Sequence, residues 1–182
     1  MIAHVIDTLL ASDVDEIIVV LGHESDRVKE AIGEREVKLV ENLQYRNGLS
    51  TSVNAGLAAI SSGASAIMIY LADQPLIEPE EVNYLIRSFA EAENANKSIV
   101  VPFFRGQRGN PVLVSSSFKD SIHAVSGETG CRRVIKENPG QVLAVEMHSD
   151  HVVRDTDTIE DYERLVVDEQ NLPPPHSSTG RG

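Results

Sequence analysis

Ala66-Ile-Met-Ile-Tyr-Leu-Ala-Asp-Gln-Pro75 decides the fold. Residues 66–72 form the most apolar run in the chain and read as a buried strand. In open α/β sheets ligands bind beyond the carboxyl ends of strands, so Asp73 falls where a bound metal or phosphate is expected. Pro75 biases Gln74 away from helical dihedrals and keeps the carboxylate at the rim. A plainer role fits the same residues: Asp73 caps a loop, or the helix that Pro79 opens, because Asp-x-Pro is common in turns.

Outward from that strand, helix and strand signals alternate. Upstream, Ser50 precedes a helix with Val53, Leu57 and Ile60 on one face, and Gly63 ends it. Farther back, Ile2, Val5, Ile6, Leu9 and Leu10 have helical spacing, and residues 16–21 are a β-branched run stopped by Gly22. Ser25 can cap a helix carrying Val28 and Ile32, Gly33 closes it, and residues 37–40 give another strand. Downstream, Pro79 suits the first turn of a helix with Val82, Leu85, Ile86 and Phe89 on one face. Strand 99–104, a glycine turn at 106–109 and strand 112–114 follow. Next come helices at 117–124 and 130–137 and strands at 142–146 and 151–154. Thr158 opens a capping-box helix with Ile159, Tyr162 and Val166 inward. Short strands separated by helices of about ten to fifteen residues predict an α/β class, with a mostly parallel sheet flanked by helices. Residues 170–182 lack an apolar period and are expected to be a disordered tail on a single domain spanning 1–169.

Composition narrows the function. A chain of 182 residues with 41% apolar and 24% charged residues is that of a folded globular domain, which excludes collagen-like repeats and a disulfide scaffold. Sixteen Lys and Arg against 28 Asp and Glu leave a formal charge of -12, without a basic cluster. Nucleic acid and membrane surfaces are therefore not expected partners. A polyanionic substrate would need a divalent cation or a local group of arginines. Cys131 stands alone, so no intrachain disulfide and no cysteine metal cluster can form. No apolar run approaches the roughly 20 residues of a membrane helix, and the acidic first twenty residues lack a targeting signature, so a cytoplasmic location is expected. The six histidines include no i, i+4 pair, and the nucleophile elbow, Walker loop and dinucleotide fingerprint are missing.

Three other segments carry polar groups suited to chemistry. Asn47-Gly-Leu-Ser-Thr-Ser-Val-Asn-Ala-Gly56 sets hydroxyls and free amides at a helix start, which suits an anion or a base edge and equally an ordinary serine cap. Arg105-Gly-Gln-Arg-Gly-Asn-Pro111 places two guanidinium groups beside glycines that let a ligand approach the backbone, or forms a soluble surface hairpin. Asp155 and Asp157 either complete a cation site or cap the last helix. Ser126-Gly-Glu-Thr-Gly130 is a substrate loop or a simple connection.

In order along the chain, Ile18-Val-Val-Leu-Gly-His23, residues 47–57, Leu71-Ala-Asp-Gln-Pro75, Arg108-Gly-Asn-Pro-Val112, residues 126–130 and Asp155-Thr-Asp-Thr158 resemble the MobA-like NTP transferases. The resemblance is closest to the molybdenum cofactor cytidylyltransferase branch and runs from Met1 to about Val167. It implies a nucleotide-diphospho-sugar-transferase-like fold. It also implies transfer of CMP, or another NMP, from CTP or another NTP to a molybdopterin-type cofactor, with release of pyrophosphate and use of Mg2+. By the same resemblance Asp73 is the metal ligand, Gly48, Ser50 and Ser52 lie near the base, and Arg108 with Asn110 lies on the acceptor side. Asp155 and Asp157 fall near the metal or acceptor. Relatives begin with a strand and a glycine-rich loop that wraps the triphosphate, whereas this chain opens on the helix that follows. A mis-called start or partial sequence, with impaired turnover, is the expectation. Without that first strand its neighbours should keep exposed edges or be forced together. A non-catalytic accessory protein that binds the cofactor or a molybdoenzyme is the alternative.

Overall fold

The computed structural model describes residues 1–123 and 130–156. Residues 126–129, Asp157, the helix expected after Thr158 and the tail at 170–182 lie outside the described residues. Elements alternate as expected: α1 (Ile2–Leu10), β1 (Ile18–Leu21), α2 (Ser25–Ile32), β2 (Lys38–Glu41), α3 (Leu49–Ala59), β3 (Ala66–Ile69) and α4 (Pro79–Asn94). Then come β4 (Ile99–Phe104), β5 (Gln107–Arg108), β6 (Val112–Ser115), α5 (Lys119–His123), α6 (Gly130–Glu137) and β7 (Val142–Glu146).

The class is α/β and the pairing is mixed. β1 and β2 form a parallel pair. In the larger sheet β3 pairs with β6, β6 with β4 and β4 with β7. β7 runs parallel to β4, while β6 is antiparallel to both β3 and β4, so β3, β4 and β7 share one direction. The parallel share is smaller than regular alternation implies because β4 and β5 meet across a tight turn at Arg105 and Gly106. Such a short link allows only antiparallel strands.

Helices cover both faces of the larger sheet. Val82, Leu85, Phe89 and Ala92 of α4 pack on Val100, Leu113 and Val145. Leu57 of α3, Ile122 of α5 and Val134 of α6 pack on Ile67, Ile99, Val101, Val112 and Val114. Ile99 and Val101 thus face one layer and Val100 the other, the period-two alternation of a strand buried on both sides. α1 and α3 also reach the small sheet: Ile6 clusters with Leu21 and Ile32, and Gly56 lets α3 approach Val20.

β1 and β3 do not pair with each other among the described residues. Their apolar sequences Ile-Val-Val-Leu and Ala-Ile-Met-Ile are mostly half-buried, whereas the first four residues of β4 are fully buried.

Three local expectations are corrected. Residues 151–154 are not a strand: His151–Val153 is a 3-10 turn in which the Val153 amide donates to the Asp150 carbonyl, with Val152 fully buried. Ser25 lies inside α2, whose cap is Glu24 in the left-handed region, and Ser50 lies inside α3, whose cap is Gly48 at φ +108°. The helix expected at 117–124 is shortened to α5, after a 3-10 turn at Ser116–Phe118 in which the Ser115 hydroxyl accepts from the Ser117 amide.

Candidate active site

The chain leaves β3 through Tyr70 and Leu71 into a turn that carries Asp73. Gln74 at its bend is 1% exposed. Its Nε2 donates to the Val152 carbonyl at 3.2 Å and to Asp155 Oδ1 at 2.9 Å. The Thr156 amide donates to the Asp73 carbonyl at 2.7 Å. Tyr70 donates its hydroxyl to the Gln74 carbonyl at 2.9 Å, and burial pushes the phenol well above its ordinary range, so it keeps that proton. These bonds stitch the Asp73 turn to residues 152–156, which are distant in sequence.

The arginine loop ties into the same point. The Asn110 amide donates to the Val152 carbonyl at 2.9 Å. A Cβ at Gly109 would meet that oxygen at 2.4 Å, so only glycine fits there. Gly109 therefore admits a neighbouring piece of backbone, which corrects the expectation that this glycine opens the loop to a ligand. Three segments converge on one buried carbonyl, and Gln74 with Val152 makes the junction. Sequence reasoning missed both residues in that role, because burial marks out Gln74 and a backbone carbonyl marks out Val152, and sequence shows neither.

Glu81 of α4 braces the late segment from the side. It accepts from Ser149 Oγ at 2.5 Å and pairs with His151 Nδ1 at 2.8 Å. Burial acts to raise the Glu81 carboxyl, but hydrogen bonds from His151, Ser149 and the Glu78 amide more than offset it and hold the group low. The same carboxylate raises His151 above its ordinary value.

Beside the junction lies a cavity of about 270 Å³ whose polar lining is Ser50, Asn54, Arg108, Asn110, Cys131 and Arg132. Apolar side chains of α3, β3 and β6 form the rest. Burial pushes the Cys131 thiol up to about 11, so it stays protonated near neutrality and forms a neutral wall. Burial first, and the charge of Arg132 second, hold the Arg108 guanidinium below its ordinary range. A second cavity of about 330 Å³, lined by Asp15, Glu16, Glu36 and Lys38, sits at the amino ends of β1 and β2, opposite the side where α/β sheets bind ligands.

The expected site residues divide accordingly. Ser50, Arg108 and Asn110 line the cavity, and Asp73 and Asp155 meet at the Gln74 bridge. Gly48 supplies the positive φ that lets the chain enter α3, with open space where its side chain would be. Ser52 is engaged elsewhere: Asn42, 6% exposed, donates from Nδ2 to Ser52 Oγ at 3.0 Å and to Thr51 Oγ1 at 2.8 Å. Asp157 lies outside the described residues. The two guanidinium groups of the loop part company, since Arg105 lies over the Phe104 ring at 5.1 Å and does not line the cavity. Arg132 does line it and was not expected to.

Among the described residues no group of three or more His, Cys, Asp or Glu could hold a metal. The donor set at the junction is nonetheless all oxygen. Asp155 supplies a carboxylate and Asp73 a backbone carbonyl, with the Asp73 side chain on the adjoining turn, and buried Gln74 Oε1 and Thr156 Oγ1 have no hydrogen-bond partner among the described residues. That chemistry fits Mg2+, which is commonly held by one or two carboxylates with water and substrate phosphates completing the shell.

The chain is similar to several known proteins. GlmU of Symbiobacterium thermophilum, a bifunctional protein, is 33% identical over 95 residues, which is 52% of this chain and 20% of GlmU, so the chain spans only a fifth of that relative. Nicotine blue oxidoreductase of Paenarthrobacter nicotinovorans is 26% identical over 164 residues, covering 88% of this chain and 79% of its own. The solved structure of Rv0371c from Mycobacterium tuberculosis in complex with manganese superposes with a TM-score of 0.71 at 24% identity, covering 91% of this chain and 86% of that one. No described helix is long and apolar enough to cross a membrane. The MobA-like NTP transferase domain model matches residues 1–142, and this chain belongs to that family.

Proposed function

We propose that the chain transfers a nucleotidyl group, CMP or another NMP, from a nucleoside triphosphate to the phosphate of a molybdopterin-type acceptor. A phosphate oxygen of the acceptor forms a new bond to the α-phosphorus, and the bond from that phosphorus to the leaving pyrophosphate breaks. Both reactants are anions, so the barrier is mainly repulsion and misalignment, and no covalent protein nucleophile is needed. Bound by Asp73 and Asp155, Mg2+ would neutralise phosphate charge that this acidic chain otherwise repels. Gln74 holds Asp155 against the Asp73 turn, and Arg108 with Asn110 orients the acceptor anion from the cavity side. Ser50 lines the same cavity at the start of α3 and faces the donor nucleotide, with Gly48 shaping the approach.

One observation carries this reading: the hydrogen bond from Gln74 to Asp155, which brings a late-chain carboxylate to the Asp73 turn beside an arginine-lined cavity. The test is titration calorimetry of CTP with and without Mg2+. Wild-type binding should depend on the metal and Asp73→Ala should lose that dependence. Equal affinity in both proteins would remove the assignment.

A further inference from the structure

Cys131-Arg132-Arg133 opens α6, and its two arginines have different surroundings. Arg133 donates from Nε to Glu137 Oε1 at 2.6 Å, one turn along the same helix, and does not line the cavity. Arg132 lines the cavity together with Arg108, and neither forms an ion pair among the described residues. The two guanidinium groups are close enough for the charge of Arg132 to disfavour protonation of Arg108. Like charges facing one cavity repel each other in the empty protein, and an anion between them relieves that repulsion while offering both forks an acceptor. In a chain of net charge -12, two arginines without carboxylate partners among the described residues at one cavity are a local reversal of sign. The same cavity has apolar lining, with Val53, Ile69 and Ile122, and the protonated Cys131 thiol.

We propose that Arg132 is the second arm of an anion clamp with Arg108, and that the cavity takes an acceptor whose phosphate or carboxylate sits between the two guanidinium groups while an apolar, ring-sized body lies on Val53, Ile69 and Ile122. This rests on the cavity being the acceptor side of the nucleotidyltransferase site, and it adds a binding residue and the chemistry of its ligand.

Phenyl phosphate is the probe, with benzoate, inorganic phosphate and neutral benzyl alcohol as the other arms. Their affinities are read from shifts of the arginine side-chain NMR signals. Wild type should bind phenyl phosphate more tightly than inorganic phosphate, and benzyl alcohol least; benzoate decides between phosphate and carboxylate as the preferred anion. Arg132→Gln and Arg108→Gln should each weaken phenyl phosphate by about tenfold, the scale of one charge-assisted bond. Arg132→Lys should lose less, and Arg133→Gln should match wild type. Arg132 is exposed, so these variants should fold, and a wild-type urea unfolding midpoint for Arg132→Gln verifies that. The clamp is overturned if Arg132→Gln binds phenyl phosphate as wild type does, or if wild type prefers inorganic phosphate or does not bind. The two ideas fail separately: a CTP affinity insensitive to Asp73→Ala sinks the transferase proposal and leaves the clamp standing, while an Arg132-insensitive phenyl phosphate affinity does the reverse.

Discussion

The two sides of the site are built on opposite principles. On the carboxylate side, buried Gln74 bonds both the Val152 carbonyl and Asp155, the Thr156 amide bonds the Asp73 carbonyl, and Glu81 with His151 braces the same segment. On the arginine side, Arg108 and Arg132 stand exposed over a cavity without ion-pair partners among the described residues. Several hydrogen bonds made by one buried side chain hold one geometry, whereas exposed guanidinium groups keep rotamer freedom until an anion engages them. The difference suggests a division of labour, with a preset corner for metal and triphosphate and an adaptable arm for the acceptor.

The largest perturbation should come from the residue that joins the two sides. Gly109→Ala forces a methyl group against the Val152 carbonyl and should destabilise the fold by about 3 kcal/mol, at the upper end for overpacking, as measured by urea unfolding. It should also weaken both Mg2+-dependent CTP binding and phenyl phosphate binding, since Arg108 precedes it. A wild-type-like Gly109→Ala protein would mean that the segments are not locked together.

A smaller and one-sided loss is expected for Gln74→Leu. Losing the amide bonds to Val152 and Asp155 should cost about 2 kcal/mol in urea unfolding. The concentration of Mg2+ needed for CTP binding should rise, while phenyl phosphate affinity should stay unchanged. If both ligands weaken equally, the two sides are not independent.

The smallest effect is a pH dependence through the brace. His151 is raised in the folded state, so its contribution is fully present below the unfolded histidine value and fades as pH rises through the higher folded value. Glu81 is lowered, so its contribution is present above the unfolded carboxylate value and fades as pH falls through the depressed folded one. The pair should therefore stabilise most on the mildly acidic side of neutrality, by about 1 kcal/mol. His151→Ala should flatten the decline seen in wild type as pH rises past the folded histidine value, as measured by urea midpoints. An unaltered profile would assign the brace no role.

Much of the fold could be read from periodicity because burial selects for it directly. The apolar runs at residues 66–69 and 99–101 form β3 and the buried start of β4, and the i, i+3, i+7 spacing of Val82, Leu85 and Phe89 forms the inner face of α4. The turn at 151–153 was misread as a strand because Val152 and Val153 have strand propensity, while the deciding bonds, from Gln74 and Asn110 to the Val152 carbonyl, come from far along the chain. The site was legible only in pieces. Asp73 could be picked out by its place after a strand and Arg108 by its charge, and Asn110 by the family resemblance, but Gln74 looks like an ordinary polar loop residue until its burial is known. Arg132 cannot be told from Arg133 by sequence, because what separates them is which face of α6 meets the cavity.

By itself, then, the order of residues determined the class, the alternation, the absence of an intrachain disulfide and the acidic field. Those properties depend on local spacing and on counting. The tertiary structure alone decided that Gly109 serves a neighbouring backbone, that Asp155 reaches the Asp73 turn, and which of two adjacent arginines faces the cavity. Each of these depends on contacts between segments some forty to eighty residues apart or on the docking of a whole helix, and one-dimensional patterning carries no term for either.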